Sequence, residues 1–392
     1  MRQDWSWLTA LFIAALALGT DEFVIAGVLN TVAADLHVTA GAAGQLVTSF
    51  ALAFALGAPV LAVWVDRRPR RVVLLAGLGV FVLTNIGCAL AHDMTSLMIV
   101  RVLAGLSAAV VSTTAFATAA EGAPEGRQGR YLAVVTTGLT VALFTGVPVG
   151  TWLAEVLSWR TTFVLIAAVA ASSALIAAAT MPRLPGSAPS TLAERFAPLR
   201  NPGVLRMVVA VLACGTGGLM FYTYLGPITL HTLGTDAPLP FLLLVVGVVG
   251  LGSALLGGRL TDLHGPRRAR LMILGGHVLA LAALTVIVQV TAPVWWFGPG
   301  LAVWAVFAWA LNPPLQASTI AAAPEAAMTA VSLNVSGLYL GAAAGGALGG
   351  FLLDRSSAPV LPAVGVIALG VAWLIAAPRH TNELERSHAA PC

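Results

Sequence analysis

Apolar residues fill this chain in blocks of about twenty, the length a helix needs to cross a hydrocarbon core of about 30 Å, and short polar joints separate them. The blocks fall at 7–29, 43–65, 72–91, 97–119, 131–156, 161–181, 206–228, 239–258, 271–291, 294–318, 329–351 and 360–377. None shows the period-two alternation, over segments of about ten residues, that a membrane β-barrel requires. The pattern predicts an all-α integral membrane protein with twelve transmembrane helices. The first block lacks a small-residue cleavage site and runs at once into another block, so it reads as a retained helix and not a signal peptide.

Composition agrees with the pattern. Of 392 residues, 58% are hydrophobic and 9% charged, with a mean hydropathy of +0.92, which excludes an ordinary soluble globule. All 20 basic residues are arginine, and 17 of them fall in the segments that share a face with the N-terminus. Arg160 and Arg355 lie in joints on the other face, and Arg101 lies within a block. Cationic joints stay on the cytoplasmic side, so both termini are expected there, and the net charge of +4 is a topology signal, not a nucleic-acid footprint. Trp5, Trp7 and Trp64 near one face, and Trp159, Trp295 and Trp296 near the other, are expected as interfacial anchors. Cys88, Cys214 and Cys392 are too scattered to suggest a disulfide framework or a metal site. There is no HExxH, G-x-S-x-G, P-loop or helix-opening GxGxxG, so neither an enzyme nor an ATP-driven pump is indicated, and no cofactor is expected.

The longest connection without apolar character, 182–205, divides the chain into blocks one to six (1–181) and seven to twelve (206–378), followed by a tail at 379–392. The two parts repeat. Asp66-Arg67-Arg68-Pro69-Arg70-Arg71 joins blocks two and three, and Asp262-Leu263-His264-Gly265-Pro266-Arg267-Arg268 joins blocks eight and nine, 196 residues later. Gly19-Thr20 and Gly215-Thr216 are separated by the same 196. Parallel repeats of a six-helix unit are a transporter pattern, with the substrate site between the halves near mid-membrane.

Ala62-Val63-Trp64-Val65-Asp66-Arg67-Arg68-Pro69-Arg70-Arg71 resembles the G-x-L-A-D-R-x-G-R-R loop of the major facilitator superfamily, in particular its twelve-span drug:proton antiporters, with Ala62 and Pro69 replacing the two glycines. The second copy, Gly258 to Gly265, keeps both glycines. Met98 to Gly105, with Arg101 inside, resembles the fourth-span signature, and Gly138 through Gly146-Val147-Pro148-Val149-Gly150 the fifth-span signature that marks antiporters. Glu22-Phe23, Gly27-Val28-Leu29, Ser158-Trp159-Arg160 and Phe163 look most like the sugar-efflux and chloramphenicol-resistance branch. The resemblance implies two six-helix bundles in a bacterial cytoplasmic membrane, no enzyme activity, and proton-coupled export by alternating access. A phenicol or other small amphiphilic drug is the first substrate class it suggests, and a sugar or similar metabolite the second. An uptake symporter and a passive facilitator remain as alternatives. It also implies a conformational gate, in which Asp66 with Arg67, Arg70 and Arg71, and its counterpart Asp262 with Arg267 and Arg268, lock the bundles at the cytoplasmic side of the outward-open state.

Only two acids, Asp21 and Glu22, lie deep in a block. An ionisable side chain at mid-membrane costs at least about 2.5 to 3.5 kcal/mol. The repeat supplies a control, because the matching positions are Gly217 and Gly218, so the helix does not need acids to pack. A carboxylate in a desolvated cavity that alternates its access takes up and releases a proton as its surroundings change. Neighbours on a helix point about 100° apart, so one acid alone is central to a cavity. Glu22, matching the branch's Glu-Phe position, is expected to carry the proton; Asp21 is a departure from the branch, with a packing bond or an outer substrate contact as its expected role. Arg101 lies in the same layer and is expected to pair with Glu22 in one conformation and free it in another. Asn85, Phe221, Tyr222, Tyr224, Gln289, Asn312 and Gln316 are the in-block side chains best suited to line a substrate cavity. Gly337, Gly341, Gly345 and Gly349 recur every fourth residue and predict a smooth helix face for close packing. Expected partners are a small-molecule substrate, protons and the lipid bilayer. The short loops leave little surface for a protein partner, and a functional monomer is expected.

Overall fold

A computed structural model describes residues 2–186, 191–290 and 293–377, with side chains from Ser6 onward. The tail at 379–392, with Arg379, Arg386 and Cys392, lies outside the described residues, as do the side chains of Arg2 and Trp5. Among the described residues there are helices and no strands. The first half comprises α1 (Arg2–Phe23), α2 (Ile25–Asp35), α3 (Ala40–Val65), α4 (Arg70–Leu90), α5 (Met94–Glu121), α6 (Gln128–Phe144), α7 (Gly146–Val156) and α8 (Trp159–Thr180). A short α9 (Leu192–Phe196) stands in the central connection. The second half holds α10 (Pro202–Thr223), α11 (Leu225–Leu233), α12 (Leu239–Gln289), α13 (Val294–Ala310), α14 (Asn312–Ala322), α15 (Ala327–Arg355) and α16 (Val360–Ala376).

Ten helical segments are long and apolar enough to cross a bilayer; the 51 residues of α12 make two passes, and the 17 of α16 add a shorter one. Four blocks are each two helices end to end. In three of them proline is the cause: α6, α10 and α13 end at Phe144, Thr223 and Ala310, four residues before Pro148, Pro227 and Pro314. Proline has no N–H to offer those carbonyls. Blocks eight and nine differ from the sequence expectation in the opposite way. The joint carrying Asp262 and Arg267 is helical on both sides of one residue, Gly265, at φ 76° and ψ 157°. Glycine adopts that conformation without a Cβ clash, and Pro266 after it suits the first turn of the next helix.

The halves repeat in packing as in sequence. In the first, α1 packs on α6, α3 on α5 and α4 on α8; in the second, α10 packs on α15, and α12 on α13 and α16. The glycine stripe of α15 faces α10, where a Cβ at Gly341 would stand 2.3 Å from the Leu212 carbonyl oxygen. Between the halves, α3 crosses α15, α6 and α7 meet α12, and α2 meets α11. These crossings sit toward the end of the molecule far from Asp66. A Cβ at Gly350 would lie 2.5 Å from the Gly41 carbonyl oxygen, and Asn30 Nδ2 donates to Asp236 Oδ2 at 2.9 Å. Trp64, Trp295 and Trp296 are exposed, as interfacial anchors would be, whereas Trp7 and Trp159 are not anchors. Trp7 packs against Tyr131, and Trp159 is buried with its indole N–H donating to Asp35.

Candidate functional site

The adjacent acids part company where α1 ends. Asp21 and Arg101 are both fully buried, with Arg101 Nη1 2.7 Å from Asp21 Oδ1 and Nη2 3.4 Å from the Asp21 backbone oxygen. The guanidinium also lies over the Phe50 ring, 4.3 Å from its centroid. Arg101 therefore pairs with Asp21, not with Glu22 as the shared layer suggested. The 100° step between neighbours turns Asp21 toward α5 within its own half and Glu22 toward the other half.

Glu22 Oε2 accepts a hydrogen bond from the Tyr339 hydroxyl of α15 at 2.6 Å, so the carboxylate bridges the two halves. The Tyr339 ring stacks on Phe54 of α3, centroids 3.8 Å apart and planes within 14°. Around this contact lies a cavity whose walls include Glu22, Phe23, Phe50, Tyr222 and Tyr339. Its free volume is about 20 Å³, far below what a drug-sized ligand fills. Phe23 meets Tyr222 edge to face at 5.7 Å, which closes one side with aromatic surface.

Close packing holds α1 in place. A Cβ at Gly138 would stand 2.4 Å from the Phe12 carbonyl oxygen, one at Gly146 would stand within 2 Å of the Thr20 hydroxyl, and one at Gly150 would stand 2.7 Å from Val24. The signature of the fifth block is thus the surface against which the acid-bearing turn rests, with Pro148 setting the break between α6 and α7.

Of the seven side chains expected in the cavity, Tyr222 alone lines it. The walls come from α1, α2, α3, α10 and α15, and the other six residues lie elsewhere or face away. Asn85 is buried in α4, its Nδ2 donating to the Phe81 carbonyl 3.0 Å away. Phe221 packs edge-on against Trp304 at 4.9 Å, inside the second half. Tyr224, at the break after α10, sends its hydroxyl to the Gly346 carbonyl at 2.7 Å. Gln289 is exposed at the last residue of α12, and Asn312 (exposed) and Gln316 (partly buried) lie on α14 outside the lining. Sequence reasoning missed Tyr339. Its phase was a signal: two residues on from Gly337 it points about 200° around the helix, away from the stripe that packs on α10.

At the arginine-rich end, Asp66 accepts from Arg70 at 3.0 Å and from Arg195 of α9. Arg70 also reaches Glu121, at the end of α5, at 2.7 Å, and Arg71 donates to the Ala178 carbonyl of α8. These bonds stay within the first half and the central connection. Arg67, Asp262, Arg267 and Arg268 are exposed, and no ion pair of theirs occurs among the described residues, so the second copy of the loop does not reproduce the network. Arg270, buried two residues beyond Arg268, donates instead to Ser318 and to the Ala376 carbonyl.

The sequence profile of the Major Facilitator Superfamily matches residues 11–332. The chain belongs to that superfamily. Its members are transporters, and this one is a multi-pass membrane protein. It is 30% identical to a chloramphenicol resistance protein of Streptomyces lividans over 381 residues, 95% of this chain and 96% of the relative. To the inner membrane transport protein YdhP of Escherichia coli it is 30% identical over 376 residues, 94% of each. Two solved structures share the fold at low identity. A partially occluded, inward-open xylose transporter XylE from E. coli superposes with a TM-score of 0.76 at 16% identity, over 95% of this chain and 97% of that one. An inward-facing, unoccupied bacterial homologue of the human lysosomal transporter Spinster gives 0.73 at 18%, over 95% and 96%.

Proposed function

We propose that this superfamily member is a proton-coupled exporter of a small amphiphilic drug of the chloramphenicol type, working by alternating access in a bacterial cytoplasmic membrane with both termini inside. The observation that carries the reading is Glu22: a carboxylate facing a cavity between the halves, bonded across them, beside a second acid already paired with arginine. Asp21 holds Arg101, which leaves Glu22 free to exchange its proton. Names of relatives that include chloramphenicol resistance support the substrate class. With the arginine-rich end cytoplasmic, the crossings of α3 with α15 and α2 with α11 close the outer side, as in an inward-facing state. Substrate then loads from the cytoplasm, and Glu22 releases its proton inward after carrying it from outside. A drug-sized ligand needs a pocket of about 300 to 1,000 Å³, so loading requires the walls around Glu22 to part.

The test is efflux of labelled chloramphenicol from proteoliposomes under an imposed pH gradient, with equilibrium binding measured alongside. Glu22→Gln keeps the shape of the side chain but fixes it neutral, so gradient-driven export stops while binding persists. Gradient-driven export by Glu22→Gln at the wild-type rate would exclude Glu22 as the proton carrier.

A further inference from the structure

We propose that Tyr339 is a positioning residue that ties the protonation state of Glu22 to the closeness of the two halves, its hydroxyl holding the place on the carboxylate that a substrate donor takes during loading. The inference rests on Glu22 as the proton carrier and deepens that reading. Three observations lead to it. Tyr339 belongs to the second half and Glu22 to the first, and their 2.6 Å bond lies in the cavity wall. The Tyr339 ring is set by its stack on Phe54, so the hydroxyl is aimed independently of the carboxylate. The space left beside the pair, about 20 Å³, is far too small for a drug-sized ligand, so such a ligand cannot reach Glu22 while the bond stands.

The chemistry follows from how a carboxylate changes on protonation. Ionised Glu22 is an acceptor only, and a hydroxyl donating to it makes a charge-assisted bond about twice as strong as a neutral one. A proton taken up on Glu22 reduces that bond to a neutral one and loosens α15 from α1. A substrate hydroxyl or amide N–H displaces Tyr339 by making the same bond. Proton and substrate thus act on one contact: protonation weakens the bond a substrate donor makes with Glu22, so the two compete without any second site. The titratable and charged groups around Glu22 are few. Asp21 adjoins it on α1 and is paired with Arg101 of α5, Tyr222 faces it from α10 and Tyr339 from α15, and α3 carries no charged residue.

Tyr339→Phe tests this, because phenylalanine retains the stack on Phe54 and removes the hydroxyl alone. The carboxyl infrared band of Glu22, identified by its absence in Glu22→Gln, is titrated in purified full-length protein without substrate. The midpoint in Tyr339→Phe moves to higher pH by about one unit, a tenfold change in proton affinity, since the ionised form has lost its donor. Chloramphenicol binding at a pH where Glu22 is ionised tightens several-fold, because no internal donor competes. A merely structural or lining role predicts the reverse, weaker binding and an unmoved midpoint, and that result overturns the proposal. If the Glu22 band of the wild type does not titrate between pH 5 and 9, the carrier assignment falls and the proposal falls with it. If it titrates identically in both proteins, only the role of Tyr339 is refuted.

Discussion

Asp21 and Glu22 are neighbours with opposite commitments. Asp21 is locked in a fully buried ion pair, and the rings of Phe50 and Phe163 also lie against Arg101. Removing one partner of such a pair leaves an uncompensated buried charge, which costs about 3 to 5 kcal/mol. Asp21→Asn is therefore expected to lower the thermal midpoint and the yield of folded protein sharply, and Asp21→Asn combined with Arg101→Met to restore most of the loss. Calorimetry or a fluorescence melt on the purified variants checks this; an Asp21→Asn protein as stable as wild type would show that the pair does not anchor α1 to α5. The acids and the arginine were legible in the sequence as a mid-membrane cluster. Which acid meets the arginine was not, because a layer along the axis is readable from spacing but the sector around it depends on where α5 and α15 stand.

Helices show the same division. Pro148, Pro227 and Pro314 announce where three passes break, since each missing N–H acts locally. The close approach of α6 to α1 at Gly138 is a property of the pair of helices. Gly138→Leu would drive a side chain into the Phe12 carbonyl, and overpacking of this kind costs about 1 to 3 kcal/mol. Gly79 of α4 has open space where its Cβ would be, so Gly79→Leu is the control and should leave the melting temperature unchanged. Equal effects at the two sites would remove the argument that the fifth-block signature is a packing surface for the acid-bearing helix.

For the whole molecule, the decisive feature is that the halves meet at one end while the charge network of Asp66, Arg70, Glu121 and Arg195 sits at the other, tying α9 to the first half. Asp66 and Arg195 are each about one-fifth exposed, at 21% and 22%, and pairs this close to water contribute only about 0 to 1 kcal/mol. Asp66→Asn should leave stability and membrane insertion nearly unchanged, yet release α9. Faster amide exchange over 191–200 and slower transport would follow. If transport and exchange both stay at wild-type values, the loop is a topology anchor and not part of a gate.

The sequence by itself determined the membrane class, the number of passes, the repeat, the family resemblance and the pair of acids, because hydrophobic length, arginine position and motif spacing are properties of the chain read in one dimension. Tertiary structure alone decided that Arg101 belongs to Asp21, that Tyr339 and not Asn85, Phe221, Tyr224, Gln289, Asn312 or Gln316 shares the cavity with Glu22 and Tyr222, and that the second loop copy stands apart from the charge network of Asp66. The reason is geometric. Side-chain direction around a helix acquires meaning only against a neighbour, and the hydrogen-bond partner of Glu22, Tyr339, is 317 positions away in the chain.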